Sequence, residues 1–330
     1  MTDNTQPMKK QKLSSRMKKR ALFYALMVTP FLLHIAIFYW YINIETFVLA
    51  FQHYELVPNQ PLSVKFAGLY NFKLAINWMF EDPIYIVNGL KFYAVKLVIS
   101  YTLCLLFSYY LYKKLPWAPI FKYFLFVPHI LSSLLLVILF QYVVNDYFIA
   151  VQIQWFGVEK EMAKGLLDET ARSAGARFAV IIFYGIWHGF GTSVLVYSGT
   201  MESIDVSMVE SAQLDGVNVI QEFILITMPM IWSTFVTFLI TSLSGLFMDQ
   251  FNLFTFYASS APNDMQVIGY KMYTSTLNAE LYTKPKIGNI RDKDLCYPGL
   301  SAAGLLITLF MTPIVLFIRK VLIKWGPSAN

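Results

Sequence analysis

The chain has 330 residues, of which 57% are hydrophobic and only 14% are charged. A soluble domain of this length cannot bury so large an apolar fraction, so the composition excludes an ordinary soluble enzyme and indicates an integral membrane protein. The net charge of +6 arises within residues 1–20: seven of the 26 basic residues and one of the 20 acidic residues lie there, which leaves 19 of each for the rest. A short basic tail before an apolar segment is typical of a cytoplasmic flank and does not indicate nucleic-acid binding.

The first apolar stretch, residues 21–44, is predicted to remain in the membrane as an anchor. Its 24 residues exceed the core of a secretory signal peptide, which has about 7–15 residues, and no Ala-x-Ala site follows it. The two cysteines, Cys104 and Cys296, lie far apart in the chain. Their spacing predicts neither a disulfide framework nor a metal site.

Six segments meet or approach the length of about 20 apolar residues that a helix needs to cross a bilayer. The fold class predicted is an all-α integral membrane protein with about six transmembrane helices: a basic tail, residues 1–20, is followed by a single transmembrane domain, residues 21–330. The basic tail and the even number of spans place both termini in the cytoplasm. The predicted spans are residues 21–47, 84–112, 121–144, 178–200, 229–257 and 300–318.

Alternation of the spans assigns each loop to a side of the membrane. Loops 113–120 and 201–228 are predicted inside, and loops 48–83, 145–177 and 258–299 outside. Lysines flank the first inside loop, as the positive-inside rule expects. The 201–228 loop has no Lys or Arg, whereas the outside loop 258–299 carries five basic residues, which a long translocated loop tolerates.

The 201–228 loop is predicted to form two short helices. Asp205 is expected to cap the first helix, which ends at Asp215 and Gly216 because glycine tolerates the left-handed conformation after a helix. A second helix is predicted from Asn218, where Gln221 three positions later completes a capping-box-like pair. Two short helices at an angle, anchored by spans at both ends, predict a rigid knob that fits a groove in a partner.

The spacing of residues in this loop resembles the EAA signature of permease subunits in bacterial ATP-binding-cassette importers. Ser211 replaces the usual second-position alanine and Met228 the usual leucine. Segments beginning at Phe121, Phe247 and Tyr297 are similar to spans of the maltose-type and multiple-sugar permeases. The positions that carry the signature are Glu210, Ala212, Gly216, Ile226, Met228 and Pro229.

The resemblance implies a type I importer permease fold in the bacterial plasma (inner) membrane, with a cytoplasmic coupling helix that sits in a cleft of the ATPase. It also implies three protein partners: a second permease that completes a heterodimeric pore, an ATP-binding-cassette ATPase dimer and an extracytoplasmic solute-binding protein. ATP and Mg²⁺ would be bound by the ATPase, so no cofactor is expected on this chain. The residues implied in coupling are Glu210, Ser211, Ala212, Asp215, Gly216 and Pro229.

The chain is not expected to hydrolyse ATP itself. It has no Gly-x-x-x-x-Gly-Lys-Ser/Thr phosphate loop, and no glycine is followed by lysine. A transporter subunit driven by a separate ATPase is therefore predicted, and not an enzyme.

Polar residues inside predicted spans are candidates for the substrate path, because ionisable groups at membrane depth are costly unless they are paired. Asp249 is the strongest of them, with a structural hydrogen bond between helices as the alternative. Lys96 is expected either to pair with Asp249 or to meet an acidic substrate. Trp187 and Tyr197 suit a sugar path but suit lipid or packing contacts equally. The full set of candidates is Asp249, Gln250, Asn252, Tyr257, Lys96, Trp187 and Tyr197.

Two alternatives to a sugar permease remain open at this stage. A permease for glycerol phosphate or an acidic saccharide would give Lys96 and the basic 258–299 loop a role. A membrane haem protein or enzyme would use His34, His129 and His188, which fall in three different spans. None of these histidines has a second ligand at metal-binding spacing, so no metal site is predicted. The small residues Gly185, Gly189 and Gly191 predict close helix packing in the fourth span.

Overall fold

The computed structural model describes residues 15–55, 63–279 and 295–327, and these ranges are mostly helical. Two predicted features lie mostly outside the described residues. They are the basic tail, described only from residue 15, and the basic part of the 258–299 loop, where four of the five basic residues fall within 280–294. A short antiparallel hairpin, β1 (Gln52–Glu55) and β2 (Ser63–Phe66), follows the first span and was not predicted.

The helices are joined by connections of very different lengths, including single turns and the 17 residues between Phe156 and Ala174. Within the described ranges, π-helical turns at Ile35–Trp40, Val143–Tyr147 and Phe223–Thr227 join neighbouring helices. In chain order the helices are α1 (Ser15–His34), α2 (Tyr41–Ala50), α3 (Tyr70–Phe80), α4 (Ile84–Tyr112), α5 (Ala118–Ile130), α6 (Ser133–Tyr142), α7 (Phe148–Phe156), α8 (Ala174–Glu202), α9 (Val206–Leu214), α10 (Val219–Glu222), α11 (Met228–Met230), α12 (Trp232–Ser244), α13 (Leu253–Tyr257), α14 (Ile268–Asn278) and α15 (Tyr297–Trp325).

Up to six spans can be assigned in the described chain, so the predicted all-α membrane fold with about six transmembrane helices is confirmed. Five are single helical stretches, because in lipid the backbone groups must be bonded within the segment itself. The sixth is a pair of helices bent by 71°, Val219–Met230 and Trp232–Ser244. The five stretches are Lys19–Ala50, Ile84–Tyr112, Ser133–Phe156, Ala174–Glu202 and Tyr297–Trp325.

The prediction of a continuous third span at 121–144 is wrong. The helix α5 stops at Ile130, and Leu131 has an extended backbone, after which α6 begins at Ser133. Pro128 lies near the end of α5 and has no N–H to donate, which weakens the helix at this point. The long apolar stretch therefore begins at Ser133 and continues to Phe156, well into the predicted outside loop 145–177.

The predicted fifth span, 229–257, is also not one helix. It bends near Ile231, and α12 ends at Ser244, so that Asp249 lies in a non-helical segment, residues 245–252. The Asp249 Oδ1 accepts a hydrogen bond of 2.8 Å from the Phe251 N–H. Asp side chains that bond their own backbone compete with helix formation, which accounts for the interruption.

The rest of the 145–177 segment folds back against the helix that precedes it. Gly157 ends α7 with φ of +63°, and the backbone N–H of Leu166 donates to the Val144 carbonyl at 3.0 Å. Farther along, hydrogen bonds from the hydroxyl and the backbone N–H of Thr170 hold the pKa of Asp168 below its usual value.

The core of the protein is organised around α4 and α8, which form the most extensive helix pair in the described chain. The predicted close packing of the fourth span holds at two of its three glycines. A Cβ atom on Gly191 would lie 2.5 Å from the Leu125 carbonyl oxygen in α5, and one on Gly185 would lie 2.9 Å from the Asn252 amide nitrogen. Gly189 has open space beside it instead.

Candidate functional site

A cavity of about 350 Å³ lies between α4, α8 and α12. Its walls combine aromatic rings with hydroxyl groups, and Lys96 is the single charged residue among its described lining residues. The Tyr197 hydroxyl is buried and has no hydrogen-bond partner in the described chain. The hydroxyl-bearing lining residues are Tyr93, Ser100, Tyr101, Ser193, Tyr197, Thr241 and Ser242.

Lys96 forms an ion pair at the edge of this cavity. Its Nζ lies 2.6 Å from Asp249 Oδ2, and each side chain is 35% exposed. The same ammonium lies 5.1 Å from the ring centroid of Phe251. Of the two expectations for Lys96, pairing with Asp249 is therefore the one that the structure contains. The pair joins α4 to the non-helical segment 245–252.

Of the other predicted substrate-path residues, Gln250, Asn252 and Tyr257 follow Asp249 in the chain, whereas Trp187 lies apart from them. Asn252, in the left-handed conformation with φ of +61°, packs against α8 at Gly185 near the cavity. Gln250 precedes it in the same segment, and Tyr257 ends α13 with a buried hydroxyl. Trp187 lies elsewhere, in a separate apolar cleft where it stacks near Phe140. The structure thus does not bring Trp187 to the cavity.

Two of the three membrane histidines come close together. The rings of His129 and His188 have centroids 6.1 Å apart. The third, His34, packs near Phe38 in the first span. In residues 15–55, 63–279 and 295–327, no cluster of three His, Cys, Asp or Glu side chains is able to hold a metal ion.

A second ion pair lies at the start of α8. Arg177 is buried and donates from Nη2 to Asp264 Oδ2 at 2.7 Å. The Asn88 amide of α4 donates to the Asp264 carbonyl oxygen at 2.9 Å. This network ties the loop before α14 to both central helices, at the end of α8 away from the 201–228 loop.

The local structure predicted for the 201–228 loop is confirmed. Asp205 caps α9 by accepting a hydrogen bond of 3.0 Å from the Ser207 N–H, and α9 ends before Gly216, which has φ of +83°. Asn218 and Gln221 form a complete capping box at the start of α10. The two short helices are therefore fixed by their own side chains, and we refer to Asp205–Glu222 as the knob.

Glu222 is the residue in the knob that sequence reasoning missed. Its side chain is only 3% exposed and is ion-paired with Lys113, the residue that follows α4. Its carboxylate also accepts hydrogen bonds from the Tyr109 hydroxyl, at 3.1 Å, and from the Gln213 amide, at 3.3 Å. A signal was present in the sequence: the 201–228 loop has no basic residue of its own, so a carboxylate that is buried there can pair only with a cation from another part of the chain.

Several large apolar side chains of the knob are exposed. Leu214 is 89% exposed at the end of α9, and Glu210 is exposed on the same helix. Val209, in contrast, is buried beneath it. Large exposed apolar patches mark interaction surfaces. The exposed apolar residues of the knob are Val206, Met208, Leu214, Val219 and Ile220.

These features define a class: a multi-pass, all-α membrane protein with a hydroxyl-lined cavity between its spans and a rigid helical knob between the fourth and fifth of them. The family model described as "Binding-protein-dependent transport system inner membrane component" matches residues 102–325. The chain belongs to this family.

Several known proteins are similar to this chain along most of its length. The arabinooligosaccharides transport system permease protein AraP of Halalkalibacterium halodurans is 24% identical over 74% of this chain and 75% of the relative. The lactose transport system permease protein LacF of Rhizobium radiobacter is 27% identical over 76% of this chain and 82% of the relative.

A solved structure shares the fold. It is a chain of a bacterial ABC transporter involved in the import of the acidic polysaccharide alginate, with a TM-score of 0.67 and 21% identity over 94% of this chain and 98% of that chain. A second structure of a bacterial alginate ABC transporter, in complex with an alginate pentasaccharide-bound periplasmic protein, has the same TM-score of 0.67 and 19% identity over 93% of this chain and 96% of that chain.

Proposed function

We propose that this chain is one permease subunit of an ATP-driven importer of sugars or oligosaccharides, with a single transmembrane domain following its basic tail. A second permease completes the pore, an ATP-binding-cassette ATPase dimer binds ATP and Mg²⁺, and an extracytoplasmic solute-binding protein delivers the substrate. The 201–228 loop and both termini face the cytoplasm of a bacterial cell. Family membership and the sugar-transporting relatives support this proposal.

The observation that carries the proposal is the exposed apolar face of the knob. Leu214 is 89% exposed, and contact of its side chain with water is unfavourable unless another protein covers it. The caps at Asp205 and Asn218 keep the two helices in a fixed shape, so the surface is organised before a partner binds. A groove on the ATPase is the partner that the family membership supports.

The cavity favours a neutral saccharide over the acidic alternatives. Sugar sites need hydrogen-bonding groups beside aromatic faces, and the cavity supplies hydroxyls from three helices together with tyrosine rings. The cation in its described lining, Lys96, is neutralised by Asp249, so the pair presents no net charge to an anionic substrate. Glycerol phosphate and acidic saccharides therefore rank below neutral oligosaccharides.

In the proposed mechanism the chain converts movement of the ATPase into opening and closing of the cavity. The ATPase dimer binds the knob. When the dimer closes around ATP, the spans on either side of the knob tilt. ATP and substrate must each prefer one of the two conformations by a few kcal/mol, because a ligand shifts an equilibrium only by its differential affinity. This chain contributes the docking surface and the cavity, and has no ATPase site of its own.

The proposal is tested by replacing Leu214 with a charged residue. The affinity-tagged full chain is purified from its native host, and the co-purifying ATP hydrolysis is measured together with uptake of labelled neutral oligosaccharides and of an alginate oligosaccharide. Leu214→Asp is expected to lower both the co-purifying ATP hydrolysis and the uptake about tenfold, the effect of losing a central apolar contact at an interface.

The matched control is Leu69→Asp, which places the same charge at a residue that is 71% exposed just before α3. It is expected to leave ATPase association intact. Unchanged ATPase association and unchanged uptake in the Leu214→Asp variant would show that the knob has no part in the mechanism. Uptake of the alginate oligosaccharide without uptake of neutral oligosaccharides would contradict the proposal of a neutral substrate.

A further inference from the structure

We propose that Glu222 is a positioning residue that fastens the knob to the second span, so that movement of the knob is passed along α4 to the Lys96–Asp249 ion pair. The inference rests on the proposed function, since it concerns how the knob acts on the cavity. It does not concern the surface that meets the ATPase, because Glu222 is buried on the other side of the knob.

The Glu222 side chain contacts both the end of α4 and the knob, and we refer to this set of contacts as the joint. Lys113 and Tyr109 belong to the end of α4, and Gln213 belongs to α9 of the knob itself. The Tyr109 hydroxyl also lies 3.3 Å from the Val219 carbonyl oxygen, at the start of α10. A single carboxylate thus holds both short helices of the knob and the last turn of the second span together.

This joint resists separation more than an ordinary apolar contact does. A buried carboxylate is strongly destabilising when its partner is removed, because its desolvation is then uncompensated. If the knob moved away from α4, Glu222 would lose Lys113 and Tyr109 at once. Movements of the knob that keep this pair intact must carry the end of α4 with them.

The helix α4 leads directly from this joint to the cavity. Lys96 lies 17 positions before Lys113, and the helix has no proline between them. At 1.5 Å per residue the separation is about 25 Å along one rigid element. Asp249, the partner of Lys96, lies in the 245–252 segment and not on α4. Displacement of α4 along its axis therefore changes the Lys96–Asp249 contact.

The experiment measures whether nucleotide at the ATPase changes the cavity. The complex of this chain with its ATPase and sister permease is reconstituted with Cys104 and Cys296 replaced by Ala and with Ser100→Cys as a reporter in the α4 wall of the cavity. The rate at which a small thiol reagent modifies the reporter is compared with and without ATP and vanadate.

In the reporter protein the nucleotide is expected to change the modification rate about tenfold, as for a site that goes from open to closed. The double variant Lys113→Met with Glu222→Gln removes both charges and leaves neither group as an unpaired ion. It is expected to fold and to retain the ATPase, while the ratio of the two modification rates falls to about one. The matched control, Lys114→Met with Glu202→Gln, removes the same charges from exposed positions and is expected to keep the full ratio.

Two outcomes would contradict the role of Glu222, and a third would contradict the proposed function. A double variant that keeps the nucleotide response of the reporter protein overturns the positioning role of Glu222. Loss of the ATPase from the double variant also overturns it, because Glu222 would then shape the docking surface and not transmit its movement. A reporter protein without any nucleotide response overturns the proposed function, and the inference with it.

Discussion

Lys96 of α4 and Asp249 of the non-helical segment 245–252 are joined by an ion pair of 2.6 Å between Nζ and Oδ2. Each charge is costly at membrane depth, and each removes most of that cost from the other. The pair also connects α4 to the segment that follows α12. The C-terminal end of α4 contacts the knob. The pair therefore lies at the edge of the cavity, where Lys96 is a lining residue, and holds α4 against the 245–252 segment.

We expect the two charges to depend on each other for stability. Asp249→Asn or Lys96→Met alone leaves one ion unpaired and lowers the thermal stability of the purified protein, whereas the double variant recovers part of the loss. The coupling free energy is expected in the range of about 0.5–3 kcal/mol that residues in direct contact show. Thermal unfolding of the four proteins in one detergent measures it, and additive effects of the two single changes would contradict the pairing.

Gly269 permits the chain to place Asp249 correctly. A Cβ at this position in α14 would lie 2.6 Å from the Asp249 carbonyl oxygen and 2.7 Å from the Met248 carbonyl carbon. Gly269→Ala is expected to displace the 245–252 segment and to reduce uptake at least about tenfold, since small displacements at a site have large effects. Gly304→Ala, whose Cβ would meet the Met248 side chain at an ordinary 4.0 Å, is the control and is expected to transport normally.

The turn of the knob depends on backbone conformation and not on space. Gly216 has φ of +83°, and nothing lies within 4 Å of a Cβ built there. Gly216→Val is expected to cost about 1–2 kcal/mol of backbone strain and to weaken ATPase association, whereas Gly216→Asn is expected to cost less because asparagine tolerates this region. Co-purified ATP hydrolysis measures both variants, and equal losses would contradict the conformational explanation.

Gly191 controls how closely α8 approaches α5. The Leu125 carbonyl oxygen would be 2.5 Å from a new Cβ, and because it belongs to the backbone it cannot turn aside. Gly191→Ala is expected to destabilise the protein by about 1–3 kcal/mol, as overpacking does. Gly199→Ala in the same helix has open space and provides the comparison in thermal unfolding. A fully stable Gly191→Ala protein would show that the two helices separate easily.

The parts of the fold that depend on local chemistry were the ones that the sequence predicted well. The caps at Asp205 and Asn218 and the glycine turn between the two knob helices involve residues only a few positions apart. The helix Ile84–Tyr112 likewise follows from a long, mainly apolar segment without proline. The breaks at Leu131 and after Ser244 were missed, because hydropathy alone does not distinguish a continuous helix from two consecutive ones.

Of the predicted substrate-path residues, Lys96 and Tyr197 line the cavity. Pairing of Lys96 with Asp249 was one of two expectations for Lys96, because both residues are charged in apolar surroundings. The other walls of the cavity, such as Ser193 and Thr241, are ordinary helix residues whose convergence depends on how α8 and α12 pack. Glu222 was missed for the same reason, since its partner Lys113 is more than one hundred positions away in the chain.

The interruption after α12 has a consequence for the bilayer itself. Thirteen residues of helix extend about 20 Å, which is less than the roughly 30 Å of hydrocarbon, so α12 by itself does not cross the bilayer. Such backbone persists only where water or protein covers it. In this chain α14 supplies part of that cover, because Gly269 lets it pack directly on the backbone of Met248 and Asp249. Docking of α14 is therefore part of what keeps this backbone out of contact with lipid.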